Sequence, residues 1–156
     1  MKQDLLLGID IGTTNVKAIL ATPEGRVVAQ ATEGYPLLTP RPGWVEQNPA
    51  DWWQGTASVS RRVMALAEAA PEQVKAIGLS GQGAAAVLVD AAGEPVRPGI
   101  IWMDARSEAE CGWLRATCGP EILRINGKQP GPYNMDPKLR WLAAHEPESL
   151  RKAAYS

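Results

Sequence analysis

Phenylalanine is absent from the 156 residues, histidine occurs once and cysteine twice. A single histidine and two cysteines make a metal site built from side chains of this chain improbable. Cys111 and Cys118 stand in a stretch of helical pattern, about 10 Å apart along an axis that rises about 1.5 Å per residue, beyond disulfide reach, so they are expected to be small core residues. Neither charge is in excess: 16 Lys and Arg face 17 Asp and Glu, interspersed, for a net charge of −1. That excludes the basic footprint of a nucleic-acid binder or of a protein held on an anionic membrane. Long apolar runs are missing too. The first one is broken by Asp10, too short for a signal-peptide core or a bilayer span, and the expectation is a cytoplasmic protein with small-molecule or protein partners. With 45% hydrophobic residues the chain can bury one core, about 70% of its extended surface.

What is present is concentrated at 5–20, LLLGIDIGTTNVKAIL. Leu5, Leu6, Leu7, Ile9 and Ile11 read as a strand covered on both faces, and Val16, Ala18 and Leu20 alternate with Lys17, Ile19 and Ala21 as a second strand. Between them, Gly12-Thr13-Thr14-Asn15 offers backbone N–H groups, two hydroxyls and a φ that glycine adopts freely, with Asp10 where the first strand gives out. Such a turn can wrap a phosphate, its carboxylate aimed at Mg2+; it can equally be an ordinary Gly, Thr and Asn turn. It is not a P-loop, because no Gly-Lys-Ser/Thr follows and the next element is a strand.

Further on, 22–25 is a turn and 26–33 a third strand, giving an antiparallel meander, and the prolines of 34–48 predict an extended surface segment. Asn48, Pro49 and Asp51 start a helix over 49–69 with Trp52, Val59, Val63, Leu66 and Ala70 inward and Arg61 and Arg62 outward. A strand at 74–80 enters the core and ends in Gly81-Gln82-Gly83, a position where ligands gather. Strands are predicted at 84–90 and 96–103. Ser107 to Glu110 has capping-box spacing for a helix to Thr117 closed by Gly119-Pro120, with further helices at 121–126, 138–145 and from Pro147. In the absence of phenylalanine, Trp52, Trp113 and Trp141 read as core fillers, while Trp102, beside Asp104, is placed nearest a ligand. His145 reads as a surface residue compensating a helix dipole. The last residues trail off a helix without a following strand, as though cut from something longer.

DIGTTNVKAIL resembles the first phosphate hairpin of the actin, Hsp70 and sugar kinase superfamily. PGWVEQNPADWW, GLSGQ, RPGIIWMDAR and DPKLRWL, in that order and spacing, resemble segments of the FGGY carbohydrate kinases, most of all the xylulokinases among them. The resemblance implies an α/β, actin-like ATPase or ribonuclease H-like fold, with 1–156 as the N-terminal part of the first of two lobes, a mixed sheet with flanking helices. It also implies transfer of the γ-phosphate of ATP, with Mg2+, to a hydroxyl of a ketose or polyol, with no nucleic-acid or membrane partner and room for a homodimer. Carried over by position, Asp10 is the magnesium-side carboxylate, Gly12, Thr13 and Thr14 lie near the terminal phosphates, and Lys17 supports the loop or is simply a solvated residue. Gln82, Gly83, Ala84, Trp102, Asp104 and Arg106 fall on the sugar side. The alternatives are a helix N-cap for Asp104, a surface charge for Arg106 and a backbone-bonded loop amide for Gln82. The family's catalytic base lies in a Gly-Asp segment absent here, so no base is assigned and the chain alone is expected to be inactive. Xylulokinases usually carry Gly-Gln-Met-His-Gly where this chain has Gly81-Gln82-Gly83-Ala84-Ala85, which opens space and removes a polar partner. The expectation is therefore that D-xylulose is not the best substrate of the full enzyme, and that a sugar or polyol of different size or hydroxyl pattern is. A second class of function stays open, since the same hairpin serves chaperone-type ATPases and regulators, and a truncated chain could be a non-catalytic binding module. PGWVEQ and IIWMDAR argue against the chaperone and regulator readings, because neither segment helps hold ATP.

Overall fold

Alternating apolar side chains and well-placed turn formers give the first part of the chain its strands. The computed structural model describes residues 3–156. The strands are β1 (Leu5–Ile11), β2 (Asn15–Ala21), β3 (Val27–Gly34), β4 (Glu46–Gln47), β5 (Val74–Gly81) and β6 (Gly99–Ile100), and the helices α1 (Pro49–Leu66), α2 (Glu108–Asn126), α3 (Met135–His145) and α4 (Pro147–Lys152). The chain divides into two units: residues up to Pro36 with Ala50–Gln82, and Leu37–Pro49 with Gly83–Ser156. Among the described residues no helix is long and apolar enough to cross a membrane.

The first unit is a mixed sheet in the order β3-β2-β1-β5, antiparallel except for the parallel pairing of β1 with β5. Leu5, Leu7, Ile9, Val16, Ala18 and Leu20 form one core with Val59 and Val63 of α1. The meander, the joining strand and the long helix are as expected. Two details are not. Leu66 is 66% exposed and lies off the inward face, whereas Gly55 is buried there. β5 does not enter a core: Ile77 and Leu79 are 61% and 72% exposed, although they pair in register with the buried Leu7 and Ile9. The apolar pattern marks a face meant for burial, and within this unit the core shared with α1 takes in β1, β2 and β3 but leaves Ile77 and Leu79 outside.

In the second unit, Ala86, Leu88, Ile100, Trp141 and Leu142 form the core. The predicted strands at 84–90 and 96–103 reduce to the two-residue β6 and to isolated bridges, Ala86 with Ile100 and Val89 with Pro95 and Tyr155. Pro95, Pro98 and a left-handed Gly93 interrupt the ladder, while the alternate burial of Ala86 and Leu88 survives. The segment expected to wander on the surface instead supplies β4, whose Glu46 and Gln47 are buried and pair antiparallel with β6. Among the described residues no strand follows α4, as expected, but the last residues hold an isolated bridge to Val89. Val89 donates its N–H to the Tyr155 carbonyl, and Ala154 and Tyr155 donate theirs to the Val89 carbonyl.

The helical run of α2 breaks at Cys118 (φ −140°, ψ 16°), next to the expected stop at Gly119-Pro120, so that it consists of two helices meeting at a kink, and Pro120 falls in the first turn of the second, where its missing N–H is not needed. Gly127, in the left-handed region, ends it and donates to the Leu123 carbonyl. The capping box at Ser107 does not form: its hydroxyl makes no cap bond and is buried without a hydrogen-bond partner among the described residues. Trp141 is a core residue as expected, but Trp113 is 46% exposed, its ring covered by the Arg140 guanidinium at 3.4 Å. His145 is exposed at the end of α3, stacked on Trp141 with ring centroids 4.7 Å apart. Both cysteines are free, and Cys111 is buried, its thiol pKa raised first by burial and then by Glu108.

Candidate functional site

In the first unit the turn at 12–15 joins β1 and β2 at the mouth of the sheet. It is closed by the Gly12 N–H donating to the Asn15 carbonyl at 3.0 Å, and the Asn15 amide donates to the Thr14 hydroxyl at 3.2 Å. Gly12 is not in the left-handed region, contrary to expectation; glycine is needed for close approach, because a Cβ there would lie 3.0 Å from the Asn15 carbonyl oxygen and 3.9 Å from Asp10 Oδ2. Beside it, Asp10 is exposed, paired in register with Lys17 of β2 on one side and Ser80 of β5 on the other. Lys17 is exposed as well. These three side chains line one open concavity of about 450 Å³ with Gly8, Ile19 and Gly78. β5 continues into Gln82, whose N–H donates to the Ile11 carbonyl at 2.8 Å, so Gln82 stands at the same end of the sheet as the turn.

Tyr35, which the sequence reading passed over, closes the back of the turn. Its hydroxyl donates to the Gly12 carbonyl and its N–H to the Thr14 carbonyl at 3.3 Å. Burial first, and the charge of Asp10 second, raise the phenol pKa, so the hydroxyl stays protonated and able to donate. Asp10 offers a hard carboxylate oxygen, the donor type that suits Mg2+, and it is exposed at the end of β1 beside the turn. No group of three or more His, Cys, Asp or Glu among the described residues could hold a metal alone, so an ion here would have to bring most of its ligands with it as water or phosphate.

The residues of the second unit that the resemblance placed on the sugar side have a different character. Gly83 is exposed, and a Cβ there would meet nothing within 4 Å. Trp102 is 41% exposed in the turn after β6. Asp104 and Arg106, by contrast, have fully buried side chains and face each other. Arg106 Nε lies 2.9 and 3.0 Å from the two Asp104 oxygens and its Nη2 2.8 Å from Oδ2, while the Val45 N–H donates to the same Oδ2 at 2.6 Å. Neither fallback role holds: Asp104 does not cap α2, whose N-cap is Ser107, and Arg106 is no surface charge. The guanidinium lies 3.8 Å over the Trp44 ring and 5.0 Å from that of Trp141, and it pairs with Glu46 at 2.7 Å. Glu46 also pairs with Arg97, which reaches Glu146 at 3.0 Å. PGWVEQ, RPGIIWMDAR and DPKLRWL thus converge on one guanidinium. Each motif gives it a carboxylate or an indole face, the partners that a desolvated arginine needs.

Lys138 is buried next to this cluster and donates to the carbonyls of Pro132 and, at 3.3 Å, Asn134. Burial pulls its pKa down to about 8, with Asp104 opposing that shift and Arg106 adding to it. Trp44, Glu46, Arg97 and Lys138 were missed from the sequence because each is polar or proline-flanked and so looks like surface. The one signal for them was that their motifs recur together.

Residues 5–155 match the profile described as the FGGY family of carbohydrate kinases, N-terminal domain. The chain is similar to the xylulose kinase of Escherichia coli, 41% identical over 149 residues, 95% of this chain and 30% of that protein. It is 36% identical to the glycerol kinase of Methylorubrum extorquens over 96% of this chain and 30% of that protein. The crystal structure of xylulose kinase from Rhodospirillum rubrum superposes with a TM-score of 0.88 at 33% identity, covering 96% of this chain and 32% of the other. The chain therefore spans less than a third of the length of these relatives, and over the length that it does span it belongs to the FGGY family of carbohydrate kinases.

Proposed function

We propose that this chain supplies the first phosphate-holding turn and part of the sugar-side wall of an ATP-dependent kinase acting on a ketose or polyol. The observation that carries the reading is the exposed Asp10 beside the tightly closed Gly12–Asn15 turn, in the family whose relatives include xylulose and glycerol kinases. The turn directs peptide N–H groups and the hydroxyls of Thr13 and Thr14 toward a terminal phosphate, and Asp10 holds the Mg2+ that accompanies it. Lys17, opposite Asp10 in the ladder, adds a positive charge on the same face. When bound, Mg2+ neutralises charge on the transferred group. On the sugar side, Gln82, Gly83, Ala84 and Trp102 face the substrate, and the buried Asp104 and Arg106 fix the backbone that carries Trp102. The reading takes in a cytoplasmic setting, no nucleic-acid or membrane partner, and room for a homodimer that sedimentation would detect.

Because no group in the chain is assigned as the base that takes the hydroxyl proton, the 156 residues by themselves should show no sugar kinase turnover in a coupled assay. Grafted in place of the matching segment of the Escherichia coli xylulose kinase, they should restore phosphorylation of a ketose or polyol. Asp10→Ala in that chimera should lower kcat by about 10² or more, the scale on which charge-stabilising groups act. A folded chimera whose kcat is unchanged by Asp10→Ala would remove this residue from the mechanism.

A further inference from the structure

The turn at 12–15 has short side chains and no helix behind it, so something else must hold its peptide planes in place. Tyr35 is the residue placed to do so. It follows β3, and its two donors reach two carbonyls of the turn, its hydroxyl that of Gly12 and its N–H that of Thr14. In a trans peptide the C=O and the next residue's N–H point in opposite directions. Fixing the Gly12 and Thr14 carbonyls on one side therefore aims the Thr13 and Asn15 N–H groups to the other.

The ring itself is seated by α1. A Cβ on Gly55 would lie 3.6 Å from Tyr35 Cδ1 and only 2.9 Å from Val16 Cγ1, so the helix comes this close because position 55 has no side chain. The Tyr35 ring packs against the core formed by α1 and the sheet, and its rotamer freedom is already spent.

We propose that Tyr35 is the positioning residue of the phosphate turn, a clamp that sets the direction of its N–H groups through the Gly12 and Thr14 carbonyls while its ring is lodged against α1 at Gly55. This rests on the reading of the turn as a phosphate site. Tyr35 touches no substrate and acts only through the backbone that does.

The test compares the 156-residue chain with its Tyr35→Phe variant, which keeps the ring and loses the hydroxyl, and with Ser58→Ala, which removes the nearby Ser58–Glu33 bond as a control. Three readouts are taken: melting temperature, hydrogen exchange at the Gly12 amide without nucleotide, and the Kd for Mg·ADP followed at the amides of residues 12–15. The clamp predicts that Tyr35→Phe speeds Gly12 exchange and weakens Mg·ADP about tenfold, the loss of one hydrogen bond, while Ser58→Ala changes neither. If Tyr35→Phe lowers the melting temperature but leaves exchange and Kd as in the wild type, the residue is merely structural and the proposal is overturned. If the wild-type chain gives no Mg·ADP-dependent shift at residues 12–15, the phosphate reading of the turn fails and the proposed role falls with it, even where faster Gly12 exchange in Tyr35→Phe shows the clamp itself to be real.

Discussion

Removing the Arg106 guanidinium would leave the buried Asp104 carboxylate without its cation and Glu46 with Arg97 alone, the costly way to break an ion network. Arg106→Met should therefore destabilise the second unit by about 3–5 kcal/mol in urea denaturation, and Arg106→Lys should not rescue it, because an ammonium can neither stack on Trp44 nor bind Asp104 with two nitrogens. Lys138 acts in the opposite sense. Its folded pKa, about 8, lies below the ordinary 10.5, so between those values the unfolded chain binds more protons than the folded one and stability rises with pH. The rise should be about 1 kcal/mol per pH unit across that window in the wild-type chain and absent from the curve of Lys138→Met, measured by chemical denaturation at pH 7, 8, 9 and 10. A parallel pair of curves would show that Lys138 is not the group responsible. At Gly83 the open surroundings support the substrate argument: a larger side chain would have room there, and this chain offers none. In the Escherichia coli chimera, kcat/KM for D-xylulose should fall about tenfold or more below that of the parent enzyme, and a panel of ketoses and polyols should contain a better substrate. Undiminished preference for xylulose would mean that another segment supplies the missing contacts.

Among the elements, α1 shows how packing overrides propensity. Helix propensity alone says that Gly55→Ala should stabilise by about 1 kcal/mol. The new Cβ would sit 2.9 Å from Val16 Cγ1, on the sheet and not at the end of a flexible side chain, so the net effect should be a loss of about 1–3 kcal/mol. Two other positions on the same helix set the scale. Val63→Ala should cost about 2 kcal/mol, since Val63 is fully buried in the core, and Leu66→Ala should stay within about 0.5 kcal/mol, since Leu66 is mostly exposed. Thermal melts of the three variants would check the order. Helical spacing placed Val59, Val63 and Leu66 on one stripe, but Leu66 turns outward while Met64 and Ala67 pack on the core. In α2, by contrast, local chemistry prevailed: the helix breaks at Cys118, two residues before Pro120, next to the stop that Gly119-Pro120 predicts.

At the level of the whole molecule the two units hold different parts of the proposed chemistry. The phosphate turn with Asp10, Lys17 and Gln82 belongs to one, and Trp102 with the Asp104–Arg106 pair to the other. The proposed activity would then need both units, and the chain spans less than a third of its kinase relatives. Stability, by contrast, is local to each unit: the first depends on an apolar sandwich of sheet and helix, the second on a smaller core beside a buried network of charges and indoles.

The sequence by itself determined the meander, the α1 start at Pro49, the mixed sheet and the position of the 12–15 turn, because these follow from periodicity and turn chemistry within short spans of chain. The family, too, was evident from the order of its motifs. Only the tertiary structure decided the roles of Tyr35, Glu46, Arg97 and Lys138. A glutamate or lysine is expected in water until its counter-ions are known, and Glu46 meets Arg97 and Arg106 across more than fifty residues of chain. Tyr35 reaches the Gly12 carbonyl from 23 residues away, a distance over which no local pattern carries information. Pairing at long range also turned the segment before α1 from surface into β4, since its polar side chains could be buried only once their partners had folded beside them.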